Sequence, residues 1–187
     1  MNVIGIIGAM DEEVSILVDL MDIRETIKKA SLEFYKGILE GKNVVLVKCG
    51  IGKVNSALCA QILISEFKVD AIVNTGVAGA LNEKLDVNDI VISTDAIQYD
   101  VDTTAFGDPK GVIPRMKTSV FKADERLIDA AYKSSVEEVK THKVLKGRVV
   151  TGDKFINSKE LKEELVNDFG GYCGEMEGGA IAHVCYL

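Results

Sequence analysis

Three times in its first half the chain runs from a β-branched apolar stretch into a glycine-rich loop, and this order restricts the fold more than any other feature. Val3 to Ile7 is a continuous apolar run closed by Gly8, suited to a strand buried on both faces. Asp11 through Met21 follows, with apolar residues at 14, 16, 17, 18, 20 and 21 behind three acids, the charge that a helix N-terminus prefers. Val44 to Cys49 leads into Gly50-Ile51-Gly52-Lys53 and then into a helical period from Val54 to Phe67. Asp70 to Asn74 leads into Thr75-Gly76-Val77-Ala78-Gly79-Ala80, and Asp89 to Ser93 is a further strand. Strand, glycine loop and helix in that order make an α/β unit.

The sheet is expected to be mixed. Phe34 to Leu39 and Val44 to Cys49 are strand-like runs separated by Glu40-Gly41-Lys42-Asn43, a hairpin signal that requires antiparallel pairing. Further on, a helix from Asp124 to about Val139 precedes a strand from Val144 to Thr151, and Ser158 is a plausible N-cap for a helix through Phe169. Gly170, Gly171 and Gly174 read as a loop before a last helix that Glu175-Met176-Glu177 opens. Residues 95–115 are irregular, which in a compact domain marks a functional or interfacial segment. No repeat or linker interrupts residues 1–187, so a single domain is expected.

Charge and composition exclude several functions. A net charge of −7 with no Lys/Arg cluster argues against nucleic acid. The N-terminus has no basic region before its apolar run, and no apolar run approaches the ~18 residues that a membrane span needs, so a soluble, cytoplasmic protein without a membrane partner is expected. Cys49, Cys59, Cys173 and Cys185 form no C-x-x-C pair and look like reduced residues in apolar surroundings. With only His142 and His183 present, a histidine metal site or a Ser-His-Asp triad has little support.

The chemistry-bearing residues cluster at strand ends. Glu13 follows the first strand and Glu177 opens the last helix, and both are placed to meet at one rim of a sheet; paired carboxylates near a sugar can activate water and stabilise an oxocarbenium-like centre. Either is also an ordinary helix-start acid. The loop Gly50-Ile51-Gly52 lacks the third glycine of a dinucleotide fingerprint and no Walker pattern occurs, so it fits a tight turn as well as a ligand approach. Thr75-Gly76-Val77-Ala78-Gly79 is the stronger candidate, because ligands of open α/β sheets gather at the carboxyl ends of strands. Phe155, in Phe155-Ile156-Asn157, suits either stacking on a flat base or the core.

In combination these motifs closely resemble the bacterial 5′-methylthioadenosine/S-adenosylhomocysteine nucleosidases, from Ile4 to Cys185. The residues that carry the resemblance are Gly5-Ile6-Ile7-Gly8-Ala9-Met10-Asp11-Glu12-Glu13-Val14, Gly50-Ile51-Gly52-Lys53-Val54, Asn74-Thr75-Gly76-Val77-Ala78-Gly79, Thr104-Ala105-Phe106-Gly107, Gly152-Asp153-Lys154-Phe155-Ile156-Asn157 and Glu175-Met176-Glu177. The resemblance implies a three-layer α/β nucleoside phosphorylase/hydrolase-like fold with a central mixed sheet, usually as a homodimer. It implies hydrolysis of the N-glycosidic bond of 5′-thio-adenosines, a small-molecule nucleoside substrate, and no metal or organic cofactor.

By the same resemblance Glu13 is the general base that activates water, Glu177 binds the ribose hydroxyls and Met176 packs on the sugar. Phe155 stacks on adenine, the Ile156 backbone addresses its edge, and Ala78 and Gly79 line the base and ribose site. Met10 and Ile51, with Phe106 and Pro114 contributed by a partner subunit, form the apolar wall around the 5′-thio group.

Two departures stand out. Val77 occupies a position where many relatives have serine. The family's last strand, its Ser-Asp motif with the general-acid aspartate, and its final helix find no match here, and neither Asp153 nor Asp168 sits in such a motif. The expectation is therefore a C-terminally incomplete member, missing the last strand and helix, with impaired hydrolysis and an exposed sheet edge. The alternatives are a non-catalytic remnant that binds adenosine-type nucleosides and a purine nucleoside phosphorylase. Phosphorolysis requires cations or free amides in the first loop, and a glutamate there repels phosphate.

Overall fold

Five strands in each half of the chain form a mixed sheet, as seen in a computed structural model that describes residues 2–187. Two compact units result, residues 2–77 with 183–185 and 187, and residues 78–182 with 186.

In the first unit the apolar run at the N-terminus becomes β1 (Ile4–Gly8), which lies between two parallel neighbours, β4 (Lys42–Lys48) and β5 (Ala71–Asn74). β2 (Asp22–Lys29) and β3 (Leu32–Leu39) extend the sheet antiparallel beyond β4, in the order β2-β3-β4-β1-β5. The hairpin read from Glu40-Gly41-Lys42-Asn43 is the β3–β4 connection. Four successive residues of β4, Val44 to Val47, are buried, the pattern of a strand covered on both faces. Helix α1 (Asp11–Leu20) packs Val14 into a cluster with Met21, Val44 and Leu46, while α2 (Lys53–Ser65) buries Cys59, Ala60 and Leu63.

The parallel register determines what shares an edge. Ile7 pairs with Val47 on one side and Asn74 on the other, Gly8 O accepts from Cys49 N at 2.9 Å, and Ile7 O accepts from Thr75 N at 3.0 Å. The loops after β1, β4 and β5 therefore leave one rim side by side.

The second unit has the order β6-β10-β9-β7-β8, with β6 (Gly79–Ala80), β7 (Ile90–Gln98), β8 (Val120–Lys122), β9 (Val144–Thr151) and β10 (Gly171–Glu175). β7, β9 and β10 are parallel and end level, Gln98 opposite Thr151 and Thr151 opposite Glu175. Helices α3 (Glu125–Glu138), α4 (Lys159–Phe169) and α5 (Gly178–Tyr186) complete the element set. Ile97, Tyr99, Val150, Leu165 and Phe169 form this unit's core.

Four strands lie wholly outside the sequence expectation. β2 (DIRETIKK) is an edge strand with nearly every residue exposed, so it lacks the apolar alternation that would reveal it. β6 and β8 have only two and three residues. β10 is the instructive one, because its Gly171 and Gly174 read as a loop. A Cβ on Gly174 would lie 2.3 Å from Ile156 Cδ1, so glycine there is a packing requirement within a strand. Glu175 consequently ends a strand, and the last helix begins at Gly178. The strand read as Asp89 to Ser93 runs further, to Gln98.

Ser158 is the N-cap of α4, its hydroxyl accepting from Leu161 N at 3.1 Å. Ser158→Ala is expected to lower stability by about 1 kcal/mol, measured by urea unfolding. Among the described residues no helix is long and apolar enough to cross a membrane.

Candidate active site

Glu13 is the most fully anchored of the candidate residues. It is the third residue of α1, and from there its carboxylate reaches back over the helix start. Oε2 accepts from Ala9 N at 2.6 Å and Met10 N at 3.1 Å, while Oε1 accepts from Val77 N at 2.9 Å. A carboxylate offers about four lone-pair sites, so three N–H donors leave about one for a further partner. The side chain is half-buried, held by the β1 and β5 loops at the shared rim.

Gly76 is the residue that this geometry adds. A Cβ at position 76 would stand 2.4 Å from Glu13 Oε1 and 2.7 Å from its Cδ, so only glycine admits the carboxylate where it lies. Val77 contributes through its backbone N–H, which a change of side chain from serine to valine leaves in place. Met10 is half-buried at the start of α1, and Ile51 lies in the β4 loop on the same rim, 53% exposed.

In the second unit another rim collects Ala78, Gly79, Phe155, Ile156, Met176 and Glu177. Gly79 pairs with Gly174 of β10, which places Ala78 near the end of that strand. The loop after β9 is tied down on both sides of Phe155: the Tyr99 hydroxyl donates to Lys154 O at 3.2 Å, and Ile156 packs against the core cluster. Phe155 itself is 78% exposed, which rules out the core alternative and leaves its ring facing outward from a fixed loop. After β10, Met176 and Glu177 are half-buried, and the Glu177 N–H donates to Glu175 Oε2 at 2.8 Å. Phe106, in a 3-10 turn at Thr104–Phe106, is 88% exposed, and Pro114 is exposed as well.

Other reactive groups are quiet. Cys49, Cys59 and Cys173 are buried, whereas Cys185 is exposed, against the expectation of apolar surroundings for all four. Burial, and after it the nearby Glu175 charge, pushes the Cys173 thiol up to about 12, and burial raises Cys59 too, so neither serves as a thiolate nucleophile near neutral pH. Among the described residues no group of three or more His, Cys, Asp or Glu side chains stands in a metal-holding arrangement.

Residues 3–187 match the family described as Phosphorylase superfamily. A curated 5′-methylthioadenosine/S-adenosylhomocysteine nucleosidase of Anoxybacillus flavithermus is 45% identical over 184 residues, spanning 98% of this chain and 78% of the relative. The chain belongs to the 5′-methylthioadenosine/S-adenosylhomocysteine nucleosidase family. The Staphylococcus aureus nucleosidase is 44% identical over 184 residues, with 98% and 79% of the two chains covered. The crystal structure of the Neisseria meningitidis nucleosidase, in complex with methylthio-immucillin-A, superposes with a TM-score of 0.93 at 37% identity, covering 100% of this chain and 80% of that one. Membership of the nucleosidase family and the α/β fold expected from the motifs are thus both established, and with them the class of enzyme, an N-ribosyl hydrolase.

Proposed function

We infer that this chain hydrolyses the N-glycosidic bond of 5′-methylthioadenosine and S-adenosylhomocysteine, with water as the nucleophile. The observation that carries this reading is the position of the Glu13 carboxylate. The start of a helix offers amides to an anion, and a phosphorylase would use such groups for phosphate. Here Ala9 N and Met10 N already donate to Glu13. A fixed negative charge on those donors repels phosphate and suits water.

In the proposed mechanism a water lone pair attacks the anomeric carbon as its proton passes to Glu13. The bond from sugar to adenine breaks, its electron pair leaves with the base, which takes up a proton from solvent, and positive charge develops on the ribose as in other glycoside hydrolyses. Glu177 holds the ribose hydroxyls, Met176 packs on the sugar, and Ala78 and Gly79 flank base and ribose. Phe155 stacks on adenine while the Ile156 backbone addresses its edge; the outward, anchored ring of Phe155 supports that role. Met10 and Ile51 form the wall around the 5′-thio group. Phe106 and Pro114 complete that wall from a second copy in a homodimer, a reading supported by their exposure in the single chain.

Adenine release from 5′-methylthioadenosine tests the reading. Glu177→Gln is expected to weaken nucleoside binding about 10- to 100-fold, the value of a hydrogen bond to a charged acceptor, and unchanged kinetics would refute the assignment.

A further inference from the structure

Between the ends of β9 and β10 lies a hydrogen-bonded array to which the family motifs assign no role. Thr151 and Glu175 are register partners on parallel strands, so their side chains leave the same face of the sheet. The Thr151 hydroxyl, wholly buried, donates to Glu175 Oε1 and accepts from Gly179 N at 2.7 Å. The other carboxylate oxygen, Oε2, accepts from Glu177 N at 2.8 Å and Gly178 N at 2.6 Å. Three consecutive amides at the start of α5 are thus held by two side chains from the sheet. Gly179 has to be glycine for this, since a Cβ there would lie 2.8 Å from Thr151 Oγ1.

We propose that Glu175 and Thr151 are positioning residues that fix the backbone of Glu177 and Gly178, and so aim Glu177 at the ribose hydroxyls; this rests on the reading of Glu177 as the ribose-holding group. A hydroxyl has a single proton to donate, so each oxygen in the array has a determined part. Glutamine at 175 can serve Glu177 N and Gly178 N with its oxygen. Its NH2 can donate to the second lone pair of the Thr151 hydroxyl, but the hydroxyl proton then loses the carboxylate oxygen that it serves. The array as it stands uses a carboxylate at 175 and a hydroxyl at 151.

The test compares the affinity of 5′-methylthioadenosine with that of its 2′,3′-dideoxy counterpart by calorimetry, with adenine as a control. The unaltered chain is expected to prefer the ribonucleoside by at least about tenfold. Glu175→Gln and Thr151→Val are each expected to cut that preference to below about threefold while adenine affinity stays within about twofold, and Thr151→Ser, which keeps the hydroxyl, restores it. Should Thr151→Val fail to fold, Glu175→Gln alone decides, since its side chain is only half-buried and of the same size. A preference that survives in the folded Glu175→Gln chain overturns the positioning role and leaves the Glu177 assignment standing. Absence of any preference in the unaltered chain overturns the Glu177 assignment and the positioning role with it.

Discussion

Replacing Glu13 by glutamine is expected to stop adenine release from 5′-methylthioadenosine, with a fall of at least about 10²–10⁴-fold, while adenine itself still binds. The substitution preserves size and removes the function. A carboxamide does not take a proton from water near neutral pH, and it has one acceptor oxygen where three N–H groups now find two. If its oxygen serves Ala9 N and Met10 N, its NH2 faces Val77 N–H. Stability is expected to fall only slightly, by about 1 kcal/mol or less, because the unmatched donor belongs to the exposed Val77 and can turn to water. Both quantities are measurable on one preparation, by chromatography of released adenine and by urea unfolding. Activity that survives the change would show that another group acts as the base.

Gly76→Ala is expected to have the second largest effect, and a more selective one. Gly76 does not have a positive φ, so alanine is tolerated by the backbone, and the obstacle is the Glu13 carboxylate 2.4 Å from the new Cβ. The far end of a flexible side chain gives way more cheaply than backbone. Glu13 shifts, the N–H of the exposed Val77 turns to water, and the cost in stability stays at about 1 kcal/mol or less. Catalysis suffers more, because a displacement of about 1 Å in a reacting group can cost about 10²-fold. The expected result is a kcat lower by about 10²-fold with unfolding nearly unchanged. A chain that loses stability and keeps its kcat would mean that Gly76 serves packing alone.

These two substitutions also mark where the sequence stops being informative. The Glu13 carboxylate was placed at the first turn of α1 by the acids behind β1, a local pattern. Its contact with Val77, 64 residues away, follows from the parallel pairing of β1 with β5 and has no local signal. Elements with strong periodicity or caps were legible to the residue: β9 spans Val144–Thr151, and α4 ends at Phe169 behind its Ser158 cap. Those hidden were of two kinds. β2 is a solvated edge whose charges mask its pairing, and β10 is a strand whose glycines make room for Ile156 and so imitate a loop. Missing β10 shifted the meaning of Glu175-Met176-Glu177. The first acid ends a strand and holds the amides of the following helix, and the second follows it as the proposed ligand of the ribose.

The role of Phe155 is open in the sequence for the same reason, since exposure is a tertiary property. An aromatic after a strand fits core and surface equally from sequence, and the anchoring of Lys154 and Ile156 on either side decides for the surface.

The central claim is that a family described by its phosphorylases here uses water, because Glu13 occupies the amides that phosphate would need. It is tested most directly by identifying the sugar formed from 5′-methylthioadenosine by mass spectrometry, with and without inorganic phosphate. The expected result is adenine and free methylthioribose, at a rate that phosphate leaves unchanged and that Glu13→Gln abolishes. Formation of methylthioribose 1-phosphate, dependent on added phosphate, would contradict it.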